Sequence, residues 1–215
     1  METDRYHVCV EDSDARIAGL AAQLFHEHGI GATGVDALSK AAGISKRTLY
    51  ERFGSKDGLI AAAFDVLDEP VFERIIGDAE RLSSDPRQQL RQLFVSLEGE
   101  TRLPEYRGCP FMNASTELAD PTHPAHDVIR RHKHRLRRWI RDRAREAGAA
   151  NPELLSRQLM IIVDGAQAQS LLEHSSKPAH DARGIADALI GAALARSEAK
   201  AAATTATTAS TTTHV

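Results

Sequence analysis

The sequence predicts an all-α protein, with an N-terminal three-helix domain holding a helix-turn-helix and a C-terminal helical body. Three observations carry this. Apolar residues recur at steps of three and four in nearly every segment, the period of a helix with one buried face. Gly, Pro and Ser clusters punctuate those segments, as at Gly43, Gly54-Ser55 and Asp120-Pro121-Thr122-His123-Pro124. Two early segments are very short and flank a tight turn, the spacing of a helix-turn-helix rather than of a long hairpin.

The elements follow in order. Residues 1–13 are polar and mixed, and are expected to be a flexible arm. From Asp14 to His28, Ile17, Leu20, Ala21, Leu24 and Phe25 share one helical face, and Gly29 and Gly31 stop the helix. Thr33-Gly34 precedes a short helix over 35–42. Gly43-Ile44 turns the chain, and Ser45 caps a second short helix over 46–53. Ser55 caps a longer helix over 56–67. Pro70 then kinks the chain or restarts it as a further helix over 71–82. Further helices are expected over 87–101, 111–119 and 125–147. Asn151-Pro152 has the form of an N-cap and first helical position for a helix over 153–174. The last helix is expected over 181–199, and the Ala/Thr-rich stretch 200–215 is expected to be disordered. The domains are therefore an arm (1–13), a helix-turn-helix domain (14–55), a body (56–199) and a tail (200–215).

Composition narrows the function. The 215 residues carry a formal net charge of −3, so any nucleic-acid surface must be local. Cys9 and Cys109 show no metal-like spacing, and no segment reads as a signal peptide or membrane span. A cytoplasmic protein is expected. There is no Gly-rich phosphate loop and no His-x-x-x-His, and the ten histidines scatter without pattern. No enzyme, cofactor or metal is expected, and His123 and His126 are expected at the surface. His132 and His134 diverge on a helix and make a poor ligand pair.

Residues 33–56 are the informative stretch. Ala37, Leu38, Ala41, Ile44, Leu49 and Phe53 are spaced to close a miniature core. That leaves Lys46, Arg47, Thr48, Tyr50, Glu51 and Arg52 outward on the second short helix. Cations, hydroxyls and an aromatic ring are the groups that contact phosphates and base edges, and such a helix fits a major groove. The same pattern also describes an ordinary helical hairpin with a solvated charged face.

Ile17 to Leu59 resembles the N-terminal domain of the TetR/AcrR transcriptional regulators. The matching residues include Ala21-x-x-Leu24-Phe25, Gly29, Ala32-Thr33, Val35-x-x-Leu38, and the continuous string from Ala41 to Leu59, AAGISKRTLYERFGSKDGL. The resemblance implies that Thr33, Gly34, Ser45, Lys46, Arg47, Thr48, Tyr50, Arg52 and Lys56 face DNA. Arg47 is the leading candidate for base readout, and Thr33 and Lys56 would hold phosphates. Relatives often carry Ser or Thr where this chain has Gly34, and aromatic residues or His near Glu51-Arg52.

For the body, the resemblance implies a homodimer on a double-stranded pseudo-palindromic operator, repression, and release by a small-molecule effector. The helices over 153–174 and 181–199 are the expected dimer interface; completing the monomer core is their other use. Phe64, Leu67, Phe72, Ile76, Phe94, Leu97, Phe111 and Met112 are candidate effector contacts, suited to an apolar or aromatic ligand, and each also fits plain core. Cys109, beside Arg107 at a helix entry, is a candidate redox or electrophile sensor; the alternative is a small packed residue. The basic run from Arg130 to Arg145 reads as the polar face of an amphipathic helix whose other face holds Val128, Ile129, Leu136, Trp139 and Ile140. An anion-binding wall or a second nucleic-acid surface are its alternatives. An adaptor built on the same helices is the rival class.

Overall fold

A computed structural model describes residues 13–211, with side-chain surroundings up to Ala195. Among these residues there are nine helices and no strand. In chain order they are α1 (Ser13–His28), α2 (Val35–Ala42), α3 (Lys46–Phe53), α4 (Lys56–Leu82), α5 (Pro86–Thr101), α6 (Pro110–Glu117), α7 (Ala125–Glu146), α8 (Pro152–Glu173) and α9 (Lys177–Thr211). Most boundaries are set by the caps the sequence carries. Ser45, Ser55, Asp85 and Asn151 each accept a hydrogen bond from a backbone N–H in the first turn that follows.

Two expectations are corrected here. Pro70 does not restart the chain as a further helix; α4 runs through it. A helix-interior proline costs about 3 kcal/mol, and here burial of Leu67 and Val71 on either side, each 1% exposed, holds the helix together. The stretch after 199 is helical to Thr211 rather than disordered. Alanine has the highest helix propensity, so the Ala/Thr run can prolong a helix that is already nucleated. The expected arm lies outside the described residues, apart from Ser13, which opens α1; residues 212–215 of the tail also lie outside them.

The chain divides into two compact units. The first holds the residues up to Ile75 together with Arg107–Arg135, so the N-terminal helices share it with α6 and the start of α7. Its core includes Ile17, Ala21, Phe25, Leu38, Leu49, Leu59, Ile60, Phe64 and Phe111, all buried. The second holds Ile76–Tyr106 and the chain from Leu136 onward. There α5, α8 and α9 pack together around Leu90, Leu93, Phe94, Leu155, Leu159, Val163, Ala186 and Ile190. An ionic knot ties α5 to α9. The buried Glu98 carboxylate meets Arg102, His180 and Arg183, the last two at 3.3 Å. Burial opposes its ionisation, but hydrogen bonds from His180, Arg183 and Arg102 outweigh it and hold the carboxyl below its usual range.

The basic face of α7 is largely tied up internally. Arg131 pairs with Asp65, Arg135 grips Glu69 through two hydrogen bonds at 2.7 and 2.8 Å, and Arg141 and Arg145 meet Asp142. Val128, Ile129, Leu136 and Ile140 are buried on the opposite face. This is the solvated amphipathic face, with its charge balanced by neighbouring acids.

Candidate nucleic-acid interface

The interface is built on α2 and α3. Gly43 ends α2 with φ +68, and its N–H bonds back to Lys40 O. That left-handed turn is open to glycine without strain, and it reverses the chain in few residues. Ser45 then caps α3, its Oγ accepting from Thr48 N at 3.0 Å. Leu49 is fully buried and fixes the roll of α3, leaving Lys46, Arg47, Tyr50, Glu51 and Arg52 exposed. After α3 the first turn of α4 crosses so closely that a Cβ at Gly58 would lie 2.1 Å from Phe53 O. Only glycine fits there, and it seats α3 against α4.

The miniature core differs from the expected one at two positions. Leu38 and Leu49 are buried, and Ile44 and Phe53 half-buried, but Ala37 and Ala41 are exposed, while Ser39 and Ala42 take the inward positions. Alternating alanines on so short a helix leave the choice of face to the neighbours that pack against it.

Of the expected contacts, Ser45, Lys46, Arg47, Thr48, Tyr50 and Arg52 lie together at α3. Tyr50 is 44% exposed, far out for an aromatic ring with no core role. Each cation meets an acid: Lys46 with Asp36, Arg47 with Glu51 at 2.8 Å, and Arg52 with Asp14. Gly34 occupies the N-cap of α2 and is exposed, offering backbone but no capping side chain.

Thr33 and Lys56 are placed otherwise than expected. Thr33 is 2% exposed, and its hydroxyl donates to Gly29 O at 2.6 Å. It closes the α1–α2 loop from within, so its side chain is not presented to a phosphate. Lys56 is half-buried and its Nζ donates to Ile30 O at 2.9 Å, bracing the same loop. Glu117 of α6 grips that loop from the other side, accepting from Ile30 N at 2.8 Å and Gly31 N at 3.2 Å. No local pattern marks Glu117, because its partners lie more than eighty residues upstream.

The expected effector residues divide between the two units. Phe64, Leu67, Phe72, Phe111 and Met112 belong to the first unit, and Ile76, Phe94 and Leu97 to the second. Phe64 and Phe111 meet with ring centroids 5.6 Å apart. Met112 is 36% exposed. His132, read from the sequence only as half of a poor ligand pair, is fully buried and stacks on Phe111, with centroids 3.8 Å apart. His123, expected at the surface, is buried; its Nδ1 accepts from Ala125 N and its Nε2 lies 3.3 Å from Asp57. Its partner His126 is half-buried, with Nε2 3.1 Å from Leu118 O. Cys109 is 4% exposed at the entry of α6, the position of a packed residue; a reactive thiol needs access that this one lacks. A groove of about 640 Å³ in the second unit, between α5 and α9, is lined by Gln88, Arg91, Gln92, Arg183 and Asp187 among others, and by none of the expected contacts.

A capped recognition helix with an outward basic and aromatic face, behind a tight glycine turn, defines a helix-turn-helix DNA-binding protein. Comparisons with known proteins agree. A family model described as bacterial regulatory proteins, tetR family, matches residues 17–63, and one described as tetracyclin repressor-like, C-terminal domain, matches residues 86–186. A solved TetR transcriptional regulator from Streptomyces avermitilis is 32% identical with a TM-score of 0.72; the match covers 82% of this chain and 99% of that one. A TetR-family regulator from Streptomyces coelicolor is 27% identical with a TM-score of 0.76, covering 85% of this chain and 97% of that one. Among curated proteins, the regulatory protein RaaS of Mycobacterium tuberculosis is 38% identical over 79 residues, 37% of this chain. The regulator AcrR of Shigella flexneri is 23% identical over 97 residues, 45% of this chain. The chain spans 36% and 45% of the lengths of these two curated relatives.

This chain belongs to the TetR family of helix-turn-helix transcriptional regulators. The family consists of DNA-binding regulators rather than enzymes, and its members act as dimers with small-molecule effectors. Among the described residues no helix is long and apolar enough to cross a membrane.

Proposed function

We propose that this protein is a repressor that binds a pseudo-palindromic operator as a homodimer and leaves it when a small molecule occupies the body. The single observation that carries the DNA-reading part is the outward face of α3, where Lys46, Arg47, Thr48, Tyr50 and Arg52 surround a helix anchored by the buried Leu49. Lys46 and Arg52 reach phosphates, Tyr50 packs on the backbone or a thymine methyl, and Arg47 reads guanine through a two-pronged contact. Ser45 and the free amides of the α3 N-terminus face phosphate. Gly34 supports a backbone contact only. Lys56 and Thr33 act indirectly, by holding the α1–α2 loop.

Dimerisation through α8 and α9 is supported by what those helices leave uncovered. Ile161 is 72% and Leu172 73% exposed on α8, in line with Gly165 and Ala168 at three- and four-residue steps and with Leu154 two turns earlier. On α9 Ile185 is 55% exposed, in line with Ala188, Ala192 and Ala195. A Cβ added at Gly165 would touch nothing within 4 Å, so packing within the chain does not require glycine there. An apolar stripe with small residues suits close approach of a second copy's helices.

The test is a fluorescence-anisotropy titration with labelled DNA from beside the protein's own gene, at several salt concentrations. Tight, salt-dependent binding to one fragment, weakened roughly 10- to 100-fold by Arg47→Ala, is the expected outcome. Weak binding to every fragment, unchanged by Arg47→Ala, overturns the reading and favours an adaptor.

A further inference from the structure

The aromatic cluster of the first unit contains a polar group that packing does not explain. His132 is fully buried, on the inner side of α7. Its Nδ1 lies 2.7 Å from Asp68 Oδ1. A carboxylate can only accept, so Nδ1 carries the proton and Nε2 is left as a bare acceptor. That Nε2 is buried and has no hydrogen-bond partner among the described residues. Phe111 stacks against the ring at 3.8 Å with 8° between planes, and Phe64 lies against Phe111. Asp68 is itself held by Arg135, 3.5 Å away, whose guanidinium lies 3.7 Å above the Phe72 ring. Burial, partly offset by Asp68, lowers the pKa of His132 to about 4, so the imidazole is neutral at neutral pH.

We propose that His132 is the polar anchor of the effector site, accepting through Nε2 a hydrogen bond from the hydroxyl or ring N–H of an uncharged aromatic ligand. The chemistry follows from the surroundings. A buried acceptor without a partner selects a donor. A carboxylate ligand would set acceptor against acceptor. A cation gains little, because Asp68 is already paired with His132 and Arg135. Phe64 and Phe111 make the surroundings of His132 aromatic, which suits a flat ring. The proposal rests on the reading that the body takes an effector, and it replaces a general preference for apolar or aromatic ligands with a requirement for one donor.

The experiment is isothermal titration calorimetry on the full chain with three matched pairs: phenol and anisole, 1-naphthol and 1-methoxynaphthalene, 4-phenylphenol and 4-methoxybiphenyl. In each pair the ring is the same and only the donor is lost. The wild-type chain is expected to bind the hydroxyl member of at least one pair about tenfold or more tightly than its ether. His132→Phe is expected to abolish that preference while keeping helical content by circular dichroism. His132→Gln, which keeps an acceptor at the ε position, retains part of the preference and serves if the phenylalanine variant does not fold. No binding by any member of any pair, equal binding of hydroxyl and ether, or a preference that survives in His132→Phe overturns the proposal. The same ligands are then added to the DNA titration. His132-dependent binding that leaves DNA bound supports this site and overturns effector-driven release instead.

Discussion

Carboxylates shadow the cations of the recognition helix one for one: Asp36 beside Lys46, Glu51 beside Arg47 and Asp14 beside Arg52. These pairs are exposed, and exposed pairs contribute about 0–1 kcal/mol. A phosphate or guanine can therefore displace the acids at small cost, and the acids in turn weaken non-specific binding. Replacing Glu51 by Gln frees Arg47, which is 88% exposed, and should raise affinity for random duplex DNA and steepen its salt dependence. Unchanged affinity for random DNA would show that Glu51 does not restrain Arg47. Thr33 belongs to the other kind of polar residue, one used up inside the fold. Thr33→Val should lower stability by about 1 kcal/mol in urea titrations while leaving operator affinity of the folded protein intact. A selective loss of affinity would return Thr33 to the DNA surface. The motif string at 41–59 made the α3 face legible, because side chains on one short capped helix have their directions set locally. Thr33 and Lys56 were not legible in this way, since their partners Gly29 and Ile30 lie across a loop whose path the string does not specify.

At the scale of elements, the α1–α2 loop is the meeting point. Lys56 donates to Ile30 O from α4, and Glu117 of α6 accepts from the Ile30 and Gly31 amides. A charged acceptor on two backbone donors is among the stronger side-chain contacts. Glu117→Ala should speed hydrogen exchange at Ile30 and Gly31 and cost roughly 1–3 kcal/mol of stability. Protection that stays at wild-type levels would mean the grip is not formed in solution. The caps show why most helix boundaries could be read in advance: Ser45, Asp85 and Asn151 each act within three residues of themselves. Pro70 shows the limit. Its local preference is to end a helix, but buried neighbours and the Glu69–Arg135 contact keep α4 continuous.

For the molecule as a whole, two acid-sensitive groups act in the same direction. His132 is neutral in the folded state down to about pH 4, whereas an unfolded histidine takes up its proton near 6.5. The unfolded state thus binds more protons between these values. Stability is full above about 6.5 and falls as the pH drops toward 4, by at most about 1.4 kcal/mol per pH unit. Glu98 has a lowered pKa, so its contribution is present above the ordinary carboxylate range and is lost at still lower pH, as it protonates. Urea midpoints measured from pH 7.5 to 4.5 should decline, and His132→Phe should flatten the upper part of that decline. A wild-type midpoint constant over this interval would mean that His132 is not buried in its neutral form. Dimerisation is tested on the same scale: Ile161→Glu places a charge in the uncovered stripe of α8, and sedimentation should then show monomers that keep their helicity. A dimer unchanged by this substitution would move the interface elsewhere.

The sequence by itself determined the all-α class, the positions of the caps, the helix-turn-helix and the residues that α3 turns outward. Each depends on contacts within one or two helical turns, where periodicity and residue chemistry act directly. Only the tertiary structure decided that Thr33 and His123 face inward, that α4 passes through Pro70, and that Glu117 holds the α1–α2 loop. It alone set His132 between Asp68 and Phe111. The partners in these contacts lie on different elements or across loops, and burial of apolar surface, not local propensity, determines which of them meet.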